Sequence, residues 1–197
     1  MKKDIMICGI GGQGTVLASK IIAASAMHEG NTVHSAETIG MAQRGGPVTS
    51  HVRIGEDVLS PLIPVGGAGL LIAFEPSEAV RNLRYLKKEG FVIVNRVPVM
   101  PTSQGASPDY DGKAEIAFLK SRCRCLVVDS TELCAPFGST KFFNIAVLGA
   151  ALGAGELGLS PETVKYEINR IVPERFRDKN IAALEAGRKA GERYADQ

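Results

Sequence analysis

The chain has no tryptophan, and aromatic residues fill only 6% of its 197 positions. Surfaces that stack single-stranded bases are built from exposed aromatics, so nucleic acid is not indicated as a partner. A formal net charge of +2 is too small to draw a polyanion or an acidic membrane. No apolar run approaches the roughly 20 residues that cross a bilayer. The N-terminal run Ile5-Met6-Ile7-Cys8 is cut off by Gly9 and reads as a first strand, not a signal-peptide core. These absences predict a cytoplasmic protein with no membrane partner.

Cysteine is scarce too, at 4 residues. Cys8 and Cys134 stand alone. Cys123 and Cys125 lie two apart in a β-like run and share one face. No second Cys or His pair follows at ligand spacing, and a cluster needs a full set of thiolates. They read as buried or unpaired thiols, and no metal site is expected.

What is present is ordinary globular composition, 45% apolar and 22% charged, with length enough for a single domain over residues 1–197. Apolar β-like runs alternate with helix-like segments. The pattern predicts strands at 5–9, 32–35, 48–54, 69–73, 91–95 and 123–128, and helices at 14–28, 77–88, 113–120, 142–152, 161–169 and 178–195. Gly90 reads as the stop of the second helix. Strands that are almost continuously apolar are buried on both faces. The expected fold is therefore α/β, a Rossmann-like, mostly parallel sheet flanked by helices in three layers. The segment from Pro98 to Asp111 is long enough for a lid or an interface arm. The C-terminal helix carries Ala182, Ala183, Ala186 and Ala190. That small-residue face packs either on its own domain or on a partner.

The first strand runs into Gly9-Ile10-Gly11-Gly12-Gln13-Gly14 and then into a helix. Glycines let the backbone turn sharply, and free N–H groups at a helix start attract anions. Strand, turn and helix in that order predict a phosphate-binding turn. Glu37 ends the second strand candidate, near the place where a dinucleotide-binding unit puts its ribose acid. On bare pattern the chain thus reads as a free-standing NAD(P)- or flavin-nucleotide-binding oxidoreductase.

The next stretch departs from that pattern. After Glu37 comes Thr38-Ile39-Gly40-Met41-Ala42-Gln43-Arg44-Gly45-Gly46-Pro47, and then a strand instead of a crossover helix. Arg44, flanked by Gln43 and two glycines, would present an exposed fork of donors to a phosphate or carboxylate. Thr49, His51 and Arg53 alternate on one face of the following strand. His51 has no acid beside it in the sequence and reads as a satisfied histidine, not a catalytic one.

With Gly9–Gly14, Glu37 and the run Gly40 to Arg53, the chain resembles the gamma-type subunit of 2-oxoacid:ferredoxin oxidoreductases. The small subunit of the indolepyruvate enzymes is the nearest type, with pyruvate and 2-oxoglutarate types beside it. The resemblance extends to Glu75, Asn95 and Asn144 and so covers nearly the whole chain. It implies a subunit inactive alone, in a complex that oxidatively decarboxylates a 2-oxoacid with coenzyme A to acyl-CoA, carbon dioxide and reduced ferredoxin. It implies no tightly bound cofactor on this chain. Thiamine diphosphate, magnesium and Fe–S clusters would sit on partner subunits, with ferredoxin an indirect partner, and a homodimer of the isolated chain stays open. Gly11, Gly12, Gln13 and Gly14 would form an anion-binding turn that meets either the phosphates of coenzyme A or only the partner's backbone. Gln43, Arg44, Gly45 and Gly46 would form the loop nearest the active-site subunit. The resemblance assigns no residue a direct catalytic role.

Overall fold

The computed structural model describes residues 1–39, 45–99 and 109–195. All six expected strands form, as β1 (Lys3–Ile10), β2 (Val33–Ile39), β3 (Pro47–Ile54), β4 (Ala68–Ala73), β5 (Leu86–Asn95) and β6 (Arg124–Val128). They build one sheet in the order β2-β3-β1-β4-β5-β6. The pairs β1–β4, β4–β5 and β5–β6 are parallel. β3 is antiparallel to both β1 and β2, so it alone runs against the rest.

Side chains alternate across this sheet with period 2. Ile5, Ile7, Leu70, Ile72, Phe91 and Ile93 enter one core cluster. Met6, Cys8, Leu71, Ala73, Val92 and Val94 enter the other. Both faces of these central strands are therefore covered, which is why β1, β4 and the second half of β5 read as apolar runs. On the first face lie α1 (Thr15–His28), α5 (Phe143–Gly153), α6 (Pro161–Ile171) and α7 (Arg177–Ala195). On the second lie α2 (Pro76–Asn82) and α3 (Lys113–Arg122). The three-layer expectation holds.

The second helix is shorter than its sequence suggests. It ends at Asn82, a 3-10 turn follows over Leu83–Tyr85, and β5 begins at Leu86. Gly90 is not a helix stop. It sits in an irregular stretch of β5, where the register against β4 jumps between Ala68 and Leu70. A Cβ on Gly90 would lie 2.5 Å from the Leu86 side chain, so glycine lets the strand fold over its own start. The short helix α4 (Ser130–Cys134), capped by Asp129, carries no periodic apolar pattern and was not legible in the sequence.

The C-terminal helix packs on its own domain. It lies against α5 through Gly187 and Gly191 facing Gly149 and Gly153, with backbone so close that any Cβ there would overlap a neighbouring carbonyl. Of the alanines singled out, Ala183 alone is fully buried, and Ala182 is exposed. The contact surface is made by glycine more than by alanine.

Candidate functional site

The C-terminal ends of β1, β4, β5 and β6 form the crest of the sheet, where ligands of open α/β sheets bind. There the structure holds a cleft of about 230 Å³, lined by Gly12, Gln13, Phe74, Asn95, Ser130 and Lys141 among others.

The glycine turn divides its labour. A Cβ on Gly9 would sit 2.7 Å from Gln13 Oε1 and 2.9 Å from Phe74 Cβ. One on Gly14 would sit 2.6 Å from Asn144 Nδ2. These two positions are closed by packing. Gly12 has φ +98° and open space around it, so its backbone is free to meet a ligand. Gly14 precedes α1 in the left-handed region and supplies no side-chain cap. The first backbone bond of the helix runs from Ala18 N to Gly14 O, at 3.1 Å. The N–H groups of Thr15, Val16 and Leu17 thus have no acceptor within α1, and they point with the positive end of the helix dipole.

A chain of amides ties the strand ends together. Ile10 N donates to Gln13 Oε1 at 2.7 Å, and Gln13 Nε2 donates to Phe74 O at 3.1 Å. Asn95 Nδ2 donates to the same carbonyl and to Val97 O, both at 3.2 Å. Asn95 Oδ1 accepts from Val97 N at 3.2 Å and from Ser130 N at 3.1 Å. Gln13 and Asn95 thereby fix the crest across four strands with neutral groups. Beside them Glu75, fully buried, accepts from Ser77 Oγ at 2.6 Å and Glu78 N at 3.0 Å, capping α2. Tyr110 donates its hydroxyl to Glu75 Oε1 at 2.5 Å and accepts from Ser77 N at 3.1 Å. Burial, and then that bond to Glu75, push the phenol well above its ordinary range, so Tyr110 stays a donor. Asn144 is buried beside Gly14, and its Oδ1 has no hydrogen-bond partner among the described residues.

The residues singled out in the sequence are distributed as follows. Gly11, Gly12, Gln13 and Gly14 form the turn at the crest. Gly46 joins them, because Gly11 N donates to Gly46 O at 2.9 Å, and Gly45 adopts φ +80° just before it. Gln43 and Arg44 lie outside the described residues. Glu37 is exposed on β2, and its Oε1 accepts from Ser19 Oγ of α1 at 3.0 Å. In a dinucleotide unit β2 adjoins β1. Here β3 is inserted between them, which moves Glu37 one strand, about 4.8 Å, further from the turn. His51 is buried, and its Nδ1 accepts from Ile63 N at 3.1 Å. Tyr110, Ser130 and Lys141 were missed. Each belongs to a short element or connection, and the local traces were only the Asp129 cap before Ser130 and the Ser139 cap that orients Lys141. Among the described residues no three His, Cys, Asp or Glu side chains converge as metal ligands, and no helix is long and apolar enough to cross a membrane.

Comparisons with known proteins identify the family. Residues 4–190 match the family model described as pyruvate ferredoxin/flavodoxin oxidoreductase. The chain is 40% identical to an indolepyruvate oxidoreductase subunit IorB of Archaeoglobus fulgidus, over 95% of this chain and 94% of that one. It is 29% identical to the pyruvate/ketoisovalerate oxidoreductases common subunit gamma of Pyrococcus furiosus, over 91% and 92% of the two chains. The keto/oxoacid ferredoxin oxidoreductase gamma subunit of Geobacter sulfurreducens superposes with TM-score 0.71 at 22% identity, covering 97% of this chain and 99% of that one. A 2-oxoglutarate:ferredoxin oxidoreductase of Magnetococcus marinus, solved with 2-oxoglutarate, coenzyme A and succinyl-CoA, superposes with TM-score 0.68 at 18% identity; 99% of this chain matches 31% of that longer one. The chain belongs to the pyruvate ferredoxin/flavodoxin oxidoreductase family and is a subunit of a 2-oxoacid:ferredoxin oxidoreductase.

Proposed function

We propose that the chain is the small subunit of an indolepyruvate-type complex, inactive alone, and that its crest forms one wall of an active site completed by a thiamine-diphosphate- and Fe–S-containing partner. The observation that carries the substrate class is the gap in identity: 35–40% to indolepyruvate oxidoreductase subunits, against 26–29% to pyruvate-type ones. The complex converts an aryl 2-oxoacid and coenzyme A to acyl-CoA and carbon dioxide, and passes the electrons to ferredoxin.

In this reading Gly11, Gly12, Gln13 and Gly14 present backbone N–H groups to a phosphate of coenzyme A, with Lys141 across the cleft. Gln43, Arg44, Gly45 and Gly46 extend the wall toward the partner, with Glu37 at its outer margin. The unpaired first turn of α1 and the open space at Gly12 support the anion site. The sheet order does not favour a free-standing dinucleotide enzyme.

The test is reconstitution. The purified chain, alone, should reduce no ferredoxin with indolepyruvate and coenzyme A. Co-expression with the thiamine-binding subunit should give indolepyruvate-dependent ferredoxin reduction that exceeds turnover of pyruvate or 2-oxoglutarate. Gly12→Val should then raise KM for coenzyme A with little change in KM for the 2-oxoacid. Full activity of the thiamine-binding subunit by itself would refute the proposal.

A further inference from the structure

A second cavity, of about 480 Å³, opens on the α5 and α7 side of the sheet. Sites for small molecules have this size, with apolar walls and a few placed polar groups. The walls here are Phe137, Phe142, Val172 and Phe176. They are held in place. Phe137 and Phe142 meet edge-on, with ring centroids 6.0 Å apart. Asn180 Nδ2 donates to Phe176 O at 2.8 Å, and Arg177 Nε donates to Val172 O at 3.1 Å.

Polar groups converge on the same space. Lys141 and Lys179 line it, the latter with Nζ 5.9 Å from the centre of the Phe142 ring. Neither lysine joins an ion pair among the described residues. Among those residues no acidic side chain lines the cavity. It reaches the start of α1 through Leu17, whose N–H has no acceptor within the helix, and through Asn144, packed against Gly14. Asn144 is 5% exposed, and its Oδ1 is the buried oxygen that has no partner among the described residues. An unpaired buried amide costs stability, so its place beside two uncompensated cations points to a ligand. The terminal torsion of asparagine is soft, and a turn of the amide offers this oxygen to a donor in the cavity.

We propose that this cavity binds an aromatic carboxylic acid whose ring system carries an N–H or hydroxyl group. The ring lies among the phenylalanines, Lys141, Lys179 and the positive start of α1 hold the carboxylate, and Asn144 Oδ1 accepts from the ring donor. Lys141 borders both this cavity and the cleft at the crest, but Lys179 and Asn144 border this one alone. Such binding belongs to this chain's own residues and needs neither the catalytic partner nor the indolepyruvate assignment.

The chain has no tryptophan, so the emission of an indole ligand is read without protein indole behind it. Indole-3-acetate titrated into the full chain should saturate at a single site. Indole-3-acetamide lacks the charge and naphthalene-1-acetate lacks the ring N–H; each, measured by calorimetry, should bind about tenfold more weakly or worse. Lys179→Gln alters an exposed side chain, so it should keep the wild-type Tm and lose the preference for the acetate over the amide. Asn144→Leu keeps the shape of the side chain and removes the unpaired oxygen. Its Tm should hold or rise, while the preference for indole over naphthalene disappears. No saturation by the wild type overturns the proposal, as do wild-type preferences in both variants. An Asn144→Leu chain that melts lower and keeps its preference makes the amide structural and likewise overturns it. Binding that is present in the free chain and lost in the co-expressed complex assigns the cavity to the subunit interface, which also overturns it. Reconstituted ferredoxin reduction is read separately, so none of these results decides the function proposed above.

Discussion

Replacing Gly187 by alanine should destabilise the protein, against what helix propensity expects. In a bare helix the change is favourable by about 1 kcal/mol. Here α7 lies on α5 so closely that the added Cβ would stand 1.8 Å from Ala146 O and 2.7 Å from its carbonyl carbon. Those are rigid backbone atoms, and real Cβ atoms essentially never come within 3.0 Å of a neighbour. The helices must part by about 1.2 Å, the difference between 1.8 and 3.0 Å. A gap of about 1 Å forfeits up to half of each facing van der Waals contact. It would be felt along the whole line of Gly149, Gly153, Gly187 and Gly191. Overpacking of a tight core costs about 1–3 kcal/mol, and a helix pair wedged on its backbone belongs at the upper end. The net loss, after the propensity gain, is about 2 kcal/mol. For a chain of this size that lowers Tm by roughly 4–8 °C. Calorimetry on the wild type and Gly187→Ala decides the matter, with Ala186→Gly on the same helix to report propensity alone. A Gly187→Ala protein that melts at or above the wild-type temperature would refute the packing argument.

Three further outcomes are expected. Burial, with the Arg53 charge as a second cause, lowers the His51 pKa below 6.5, so folding favours the neutral ring. That contribution is full above pH 6.5 and fades as pH falls, because the unfolded chain then binds a proton that the folded one excludes; the slope is at most about 1.4 kcal/mol per pH unit. His51→Asn, which keeps an acceptor for Ile63 N, should flatten the stability profile as pH falls below 6.5 relative to wild type in urea titrations; parallel profiles would contradict this. Asn95→Ala should cost about 2–3 kcal/mol, since the buried Ser130 N–H loses its acceptor and the crest its link between β4, β5 and β6; an unchanged urea midpoint would show that the network is dispensable. Burial raises all the thiols, Cys125 to about 12, Cys134 to about 11, and Cys8 well above its ordinary value. The native chain should therefore react slowly with iodoacetamide at pH 7.5, half-buried Cys123 first, and denaturant should expose the rest. Mass spectrometry that finds Cys8 modified first in the native chain would contradict that order.

The sequence determined the elements of the sheet and the existence of the turn. Its central strands carry apolar runs because both faces are covered there, so Ile5 to Cys8 or Phe91 to Val94 could be read without any partner in view. The glycine spacing marked the turn because φ +98° at Gly12 and +85° at Gly14 is open to glycine at little cost. The stretch after Glu37 announced a strand in place of a helix, but not where that strand goes. Its insertion between β2 and β1 is a pairing choice between residues some 40 positions apart in the chain. That choice decides that Glu37 stands away from the turn and meets Ser19 instead. The same holds for Gly90, a helix stop by local rules and in fact a strand irregularity, because Leu86 already pairs with Ala68 of β4. Gln13 and Asn95 became one network only when four strand ends met, and no local pattern encodes a bond from one strand's side chain to another's carbonyl. Nor could alanine counting show that α7 docks through glycines. Helix periodicity names a face, but the distance to which another backbone approaches that face is set by the packed core alone.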